Sequence, residues 1–198
     1  MTVGHVLIFR GSAALMVASD VAGDSAVLVE DFDCCRRQPH IELLADESLD
    51  HATIVAFGMT RRRGVAAAED PGLQVLAGCF ATVTTIVGKT WAAHLEKIVK
   101  VSREENLEMI RDTVTFLRGA DKRVIYDAEH FFDGYRDDPG YALQCLRAAL
   151  DAGAERVVLC DTNGSTLPPQ IADAVRGVKE QLPDAALGIH CHNDRECG

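Results

Sequence analysis

No stretch of the 198 residues holds the roughly 18–20 consecutive apolar side chains that a membrane-spanning helix needs, so no membrane span is expected. Basic residues are scarce beside acidic ones. Twenty Lys and Arg against thirty Asp and Glu give a formal net charge of −10, which argues against nucleic acid or an anionic membrane surface as a partner. An anionic small molecule must then be met by a local basic cluster. The seven cysteines lack any regular spacing, and the adjacent Cys34 and Cys35 do not suit a secreted disulfide framework. Reduced thiols and a cytoplasmic location are the expectation. A signal peptide is not expected either: the opening MTVGHVLIFRGSAALMVASD is apolar in character, but Arg10 interrupts it and no basic segment precedes it. What the chain has in quantity is apolar material, 47% of its residues, enough for the core of one domain of ordinary size.

From about residue 51 the pattern alternates between β-rich runs and helical periodicity. The runs are TIVAF (53–57), TVTTIV (82–87), RVIYD (123–127), RVVLC (156–160) and ALGIH (186–190), with starts spaced like βαβ units. Between them, Ser102 and Glu105 form a capping-box pattern ahead of Leu107, Ile110, Val114 and Leu117 at helical spacing, closed by Gly119 and Asp121. Asp138-Pro139 opens a second helix carrying Leu143, Leu146 and Leu150 and stopping at Gly153; a third, near 169–182, aligns Ile171, Val175 and Val178 before Pro183. Repeated βα units predict a parallel sheet covered by helices. Residues 1–50 are less legible: HVLIF and SAVLVE fit strands and IELLADESLD a short helix, but no turn or cap pattern fixes their order. The chain therefore divides into a divergent segment, 1–50, and an α/β domain, 51–198.

Polar residues gather where each run ends: GMTRRRG, GKTW, YDAEHFFDG, CDTNG and HCHND. The βα loops of parallel α/β folds converge at strand carboxyl ends, so five polar ends in succession predict an active face there. Alternation along a strand puts His190 and His192 on one side as a candidate metal pair and leaves Cys191 on the other. By the same rule Asp127 and Glu129 share a side, one free to aid binding while the other handles protons. Arg61, Arg62 and Arg63 could hold a carboxylate or a phosphate. Each feature has a plainer alternative: ordinary strand histidines, a solvated turn carboxylate, a solvated charge run. Cys160, one position before Asp161, is expected to face a covering helix as a small apolar residue. Trp91, His94 and the Cys34 and Cys35 pair offer no interpretable spacing.

IVAFGMTRRRGV, TIVGKTW, SREENLEMIRDTV, VIYDAEHFFDGY, VLCDTNGSTLP and GIHCHND, in that order, resemble the catalytic barrel of the citramalate synthase family, within the wider isopropylmalate and homocitrate synthase group. The resemblance implies a partial TIM (β/α)8 barrel with strands three to seven recognisable. It implies condensation of acetyl-CoA with a 2-keto acid, pyruvate for the citramalate type, in branched-chain amino acid biosynthesis. A divalent metal (Mg²⁺, Mn²⁺ or Zn²⁺) would be held by His190 and His192. Glu129 would be the acidic catalytic residue beside the substrate, and Thr162 would contact the keto acid carboxylate; Asp127, Arg61 and Arg62 stand as candidate substrate contacts from the strand-end pattern alone. The first-strand Asp-Thr-Thr-Leu-Arg-Asp-Gly type motif of the family is not found in residues 1–50, where FRG (9–11) lacks the aspartate, and the sequence ends shortly after HCHND. Little or no activity of this chain alone is therefore expected. An unclosed barrel has unpaired strand edges, so association into a homo-oligomer is expected as well. Two alternatives stay open, a non-catalytic remnant or interaction subunit and a carbon–carbon lyase or aldolase on the same metal barrel.

Overall fold

The computed structural model describes residues 14–19, 25–30, 52–194 and 196, with the first two segments and residues 52–54 described as backbone. Among these residues seven strands form one sheet in chain order: β1 (Ala14–Ser19), β2 (Ser25–Glu30), β3 (Ala52–Met59), β4 (Val83–Lys89), β5 (Arg123–Glu129), β6 (Arg156–Asp161) and β7 (Leu187–Cys191). Every pairing from β2 to β7 is parallel, while β1 runs antiparallel to β2. The five expected strands are thus present, in the sequential order of a segment of a (β/α)8 barrel. SAVLVE forms a sixth parallel member, so part of the N-terminal segment joins the same sheet. HVLIF and IELLADESLD lie outside the described residues.

Among the described residues, five helices of seven or more residues accompany the strands: α1 (Pro71–Gly78), α2 (Arg103–Gly119), α3 (Phe131–Asp137), α4 (Pro139–Asp151) and α5 (Pro168–Gln181). Their starts follow local chemistry. The Ser102 hydroxyl accepts from the Glu105 N–H at 3.1 Å and Asp138 accepts from the Tyr141 N–H at 3.0 Å, each relieving an orphan donor of the first turn. Asp70 does the same for α1 by accepting from the Gly72 and Leu73 N–H groups. Gly153 closes α4 at φ +105°, a conformation open to glycine at no steric cost.

The two sides of the sheet differ. Ile86, Val124, Tyr126, Ala128, Val157 and Leu159 point toward the helices and are fully buried in one cluster with Ile110, Val114 and Leu117 of α2 and Leu146 of α4. Burial of each large side chain contributes about 1.5–3 kcal/mol, so this layer dominates the stability of the domain. On the other side Val55 and Val83, with Phe57 and Ile125 beside them, make a small second cluster deep in the sheet. Above it, toward the carboxyl ends, that side turns polar.

Candidate active site

Alternation along β5 sends Ile125, Asp127 and Glu129 away from the helices, and the parallel registers align them with neighbours. Lys89 lies opposite Glu129, Val87 opposite Asp127, and Cys160 opposite His190. The Lys89 ammonium forms an ion pair with Glu129. Asn106, buried in α2, donates to the Lys89 carbonyl and to the Tyr141 hydroxyl, both at 2.9 Å, and so fixes the end of β4 against α2 and α4. The Thr90 hydroxyl donates to the Glu129 carbonyl at 2.6 Å. Glu129 is thereby held by side chain and backbone at once.

At His130 the chain turns from β5 into α3 through a left-handed conformation, φ 56°, which costs a non-glycine residue of order 1–3 kcal/mol and tends to mark functional sites. The turn directs the His130 N–H onto Thr162 Oγ1 at 2.8 Å, just beyond β6. With its oxygen accepting there, the Thr162 hydroxyl still has a proton to donate. Helix α3 can come this close because residue 134 is glycine: a Cβ would sit 2.5 Å from the Thr90 carbonyl oxygen. Asp133, nearly buried, draws the loops together, accepting from Asn163 Nδ2 and Arg136, both at 2.8 Å, and lying 3.4 Å from His130 Nδ1. The His94 ring stands edge-on to His130 with centroids 4.2 Å apart, and Trp91 packs on both. Burial, then the nearby His130 and Lys89 charges, lower the His94 pKa. None of the Trp91, His94, Asp133 and Asn163 roles was legible from spacing, since their partners come from three different loops.

Asp127, Cys160 and His190 offer ligand atoms that all lie within 4.8 Å of one another, a possible metal site. Burial, followed by the charge of His192, lowers the His190 pKa and favours the neutral imidazole that a metal requires. The His192 ring centroid is 5.2 Å from that of His190. Imidazole, carboxylate and thiol are donors that fit a divalent transition-type cation. Cys160 corrects an expectation: it faces the polar side with His190, while Leu159 faces the helices. Burial, with the charges of Asp127 and Glu129, pushes its thiol well above the ordinary value. Asp161, the residue from which the opposite orientation was inferred, accepts instead from the Ser165 and Thr166 N–H groups and the Thr166 hydroxyl, shaping the loop after β6.

The arginines are placed differently from the rest. Arg61, expected to hold a substrate anion, gives its guanidinium to Glu105 at 2.9 Å and Asp112 at 2.8 Å, while its N–H donates to Thr113 Oγ1. It is buried and ties the end of β3 to α2. Arg62 is exposed, with its Nε 3.9 Å from Asp70. The structure thus gathers Asp127, Glu129, Thr162, His190 and His192 on one face and leaves Arg61 turned toward α2.

Residues 36–198 match the HMGL-like family. Among curated proteins the chain is 51% identical over 146 residues to the (R)-citramalate synthase of Aquifex aeolicus and 48% identical over 151 residues to that of Geobacter sulfurreducens. These alignments cover 74% and 76% of the chain, and it spans 28% of the length of each relative. Among solved structures, the HMG-CoA lyase of Bacillus subtilis shares the fold with a TM-score of 0.64 at 15% identity, covering 82% of this chain and 51% of that one. Among the described residues, no helix is long and apolar enough to cross a membrane.

Proposed function

The chain belongs to the HMGL-like family, and from that premise we propose that it carries the metal and keto acid half of a citramalate synthase-type acyltransferase site, serving the condensation of acetyl-CoA with pyruvate. The observation that carries this reading is the convergence, at the carboxyl ends of β5, β6 and β7, of a carboxylate held by an ion pair, a hydroxyl with a proton left to donate, and two imidazoles. His190 and His192 hold a divalent cation in this reading, with an Asp127 carboxylate oxygen within 4.8 Å of a His190 ring nitrogen. When bound, the ion supplies Lewis-acid polarisation of the keto carbonyl. Thr162 donates its free proton to the pyruvate carboxylate while the His130 N–H fixes the hydroxyl oxygen. Glu129, with Lys89 beside it, stands where a proton must be moved near the reacting carbon. The similarity to citramalate synthases at about half identity supports pyruvate as the keto acid and a role in amino acid biosynthesis.

Because the first-strand arginine and aspartate motif is not found in residues 1–50, slow turnover is expected of the 198-residue chain. Preorganised groups of that kind contribute about 10²- to 10³-fold each. The test is product analysis with acetyl-CoA, pyruvate and Mg²⁺, Mn²⁺ or Zn²⁺, following CoA release by free thiol and citramalate by mass. Citramalate formed slowly, and removed by Glu129→Gln, supports the proposal. Cleavage of a hydroxyacyl-CoA without citramalate points to a lyase, and identical background with and without Glu129 points to a non-catalytic chain.

A further inference from the structure

Cys160 is the feature of this face that the proposed acyl transfer does not use. It projects from β6 directly opposite His190 in the register, and its Sγ, an Asp127 carboxylate oxygen and a His190 ring nitrogen fall within 4.8 Å of one another. Cys160 and Asp127 are both more than nine-tenths buried, so neither lies free in bulk water. Donor atoms around one tetrahedral Zn²⁺, at about 2.0–2.3 Å from the ion, stand about 3.3–3.8 Å apart. Small side-chain rotations therefore suffice to close the set. A purely oxygen and imidazole site would accept Mg²⁺ or Mn²⁺ readily, whereas a thiolate strongly favours thiophilic ions.

We propose that Cys160 is a metal ligand, and that Asp127, Cys160 and His190, with His192 or water completing the sphere, make this a Zn²⁺- or Co²⁺-selective centre that discriminates against Mg²⁺. The inference rests on the reading of His190 and His192 as the metal pair and adds to it a sulfur donor from the neighbouring strand. Binding transfers the thiol proton to solvent as the metal–sulfur bond forms, with no change in oxidation state.

The experiment uses the whole reduced chain, titrated with Co²⁺ and read by electronic absorption, with Zn²⁺ X-ray absorption on the same protein. The expected result is a near-ultraviolet sulfur-to-cobalt charge-transfer band that Cys160→Ser removes and Cys191→Ser keeps, a sulfur neighbour at about 2.3 Å from zinc, and retention of Co²⁺ in a large excess of Mg²⁺. Should Cys160→Ser fail to fold, the zinc–sulfur distance in the unaltered chain decides the matter. Co²⁺ bound without a charge-transfer band, or a band that survives Cys160→Ser, overturns the sulfur ligand and leaves the histidine pair standing. Failure to bind any of these ions, or binding indifferent to His190→Ala and His192→Ala, overturns both.

Discussion

Leu159 and Cys160 are neighbours in the chain, both buried, and they answer to different demands. Leu159 points into the helix layer and belongs to the continuous cluster that holds β3 to β6 against α1, α2 and α4. Cys160 points the other way, into a face of carboxylates and imidazoles with little apolar packing. The same alternation divides Tyr126 from Asp127 and Ala128 from Glu129. One side of each strand supplies stability, and the other is free to hold groups that stability alone would not select.

The contrast predicts effects of graded size. Leu159→Ala removes a fully buried side chain from the helix side and should destabilise the chain by about 2–5 kcal/mol, whereas Cys160→Ser next to it should cost less than about 1 kcal/mol. Urea unfolding monitored by circular dichroism separates the two; equal costs would mean that both sides are structural. Thr162→Val leaves the His130 N–H without its acceptor, so a loss of about 1–3 kcal/mol is expected, accompanied by weaker pyruvate binding. Tyr126→Phe tests the helix side in the opposite direction. Among the described residues the buried Tyr126 hydroxyl has no hydrogen-bond partner. Removing it should leave stability unchanged or raise it by up to about 1 kcal/mol, read as a higher urea midpoint.

Strands β3 to β7 and helices α2, α4 and α5 were legible because their signals are local: β-branched runs, a Ser102 cap, an Asp138-Pro139 start, leucines at helical spacing. Which side each strand residue faces was legible only where the anchor residue was read correctly. His190 and His192 were placed on one side by alternation alone. Cys160 was misassigned because Asp161 was taken to mark the active face, when its carboxylate bonds the loop that follows β6. The placement of Arg61 against α2 was not legible for a related reason. Glu105 and Asp112, which bind it, share one side of α2, but they lie 44 and 51 residues further along the chain, beyond the reach of any local pattern. Helix α3 was hidden in a motif read as a polar loop, since its seven residues are too few to show periodicity.

The smallest expected effect is in pH dependence. Burial and neighbouring positive charge depress the His94 pKa below its ordinary 6.5. Below that pH the unfolded chain takes up the proton more readily than the native one, so the contribution of His94 is fully present above about 6.5 and is lost as pH falls through the lower native value. Thermal unfolding at pH 7.5 and 5.5 should show a shallower drop for His94→Asn than for the unaltered chain. A slope that is the same in both would place the sensitivity in other groups.

The deciding observation is calorimetric: titration of pyruvate into the Zn²⁺-loaded chain and, under the same conditions, into His190→Ala/His192→Ala. If the polar face is a metal-dependent keto acid site, the loaded chain binds pyruvate and the doubly substituted chain does not. Pyruvate binding of equal strength in both, or in neither, would contradict it.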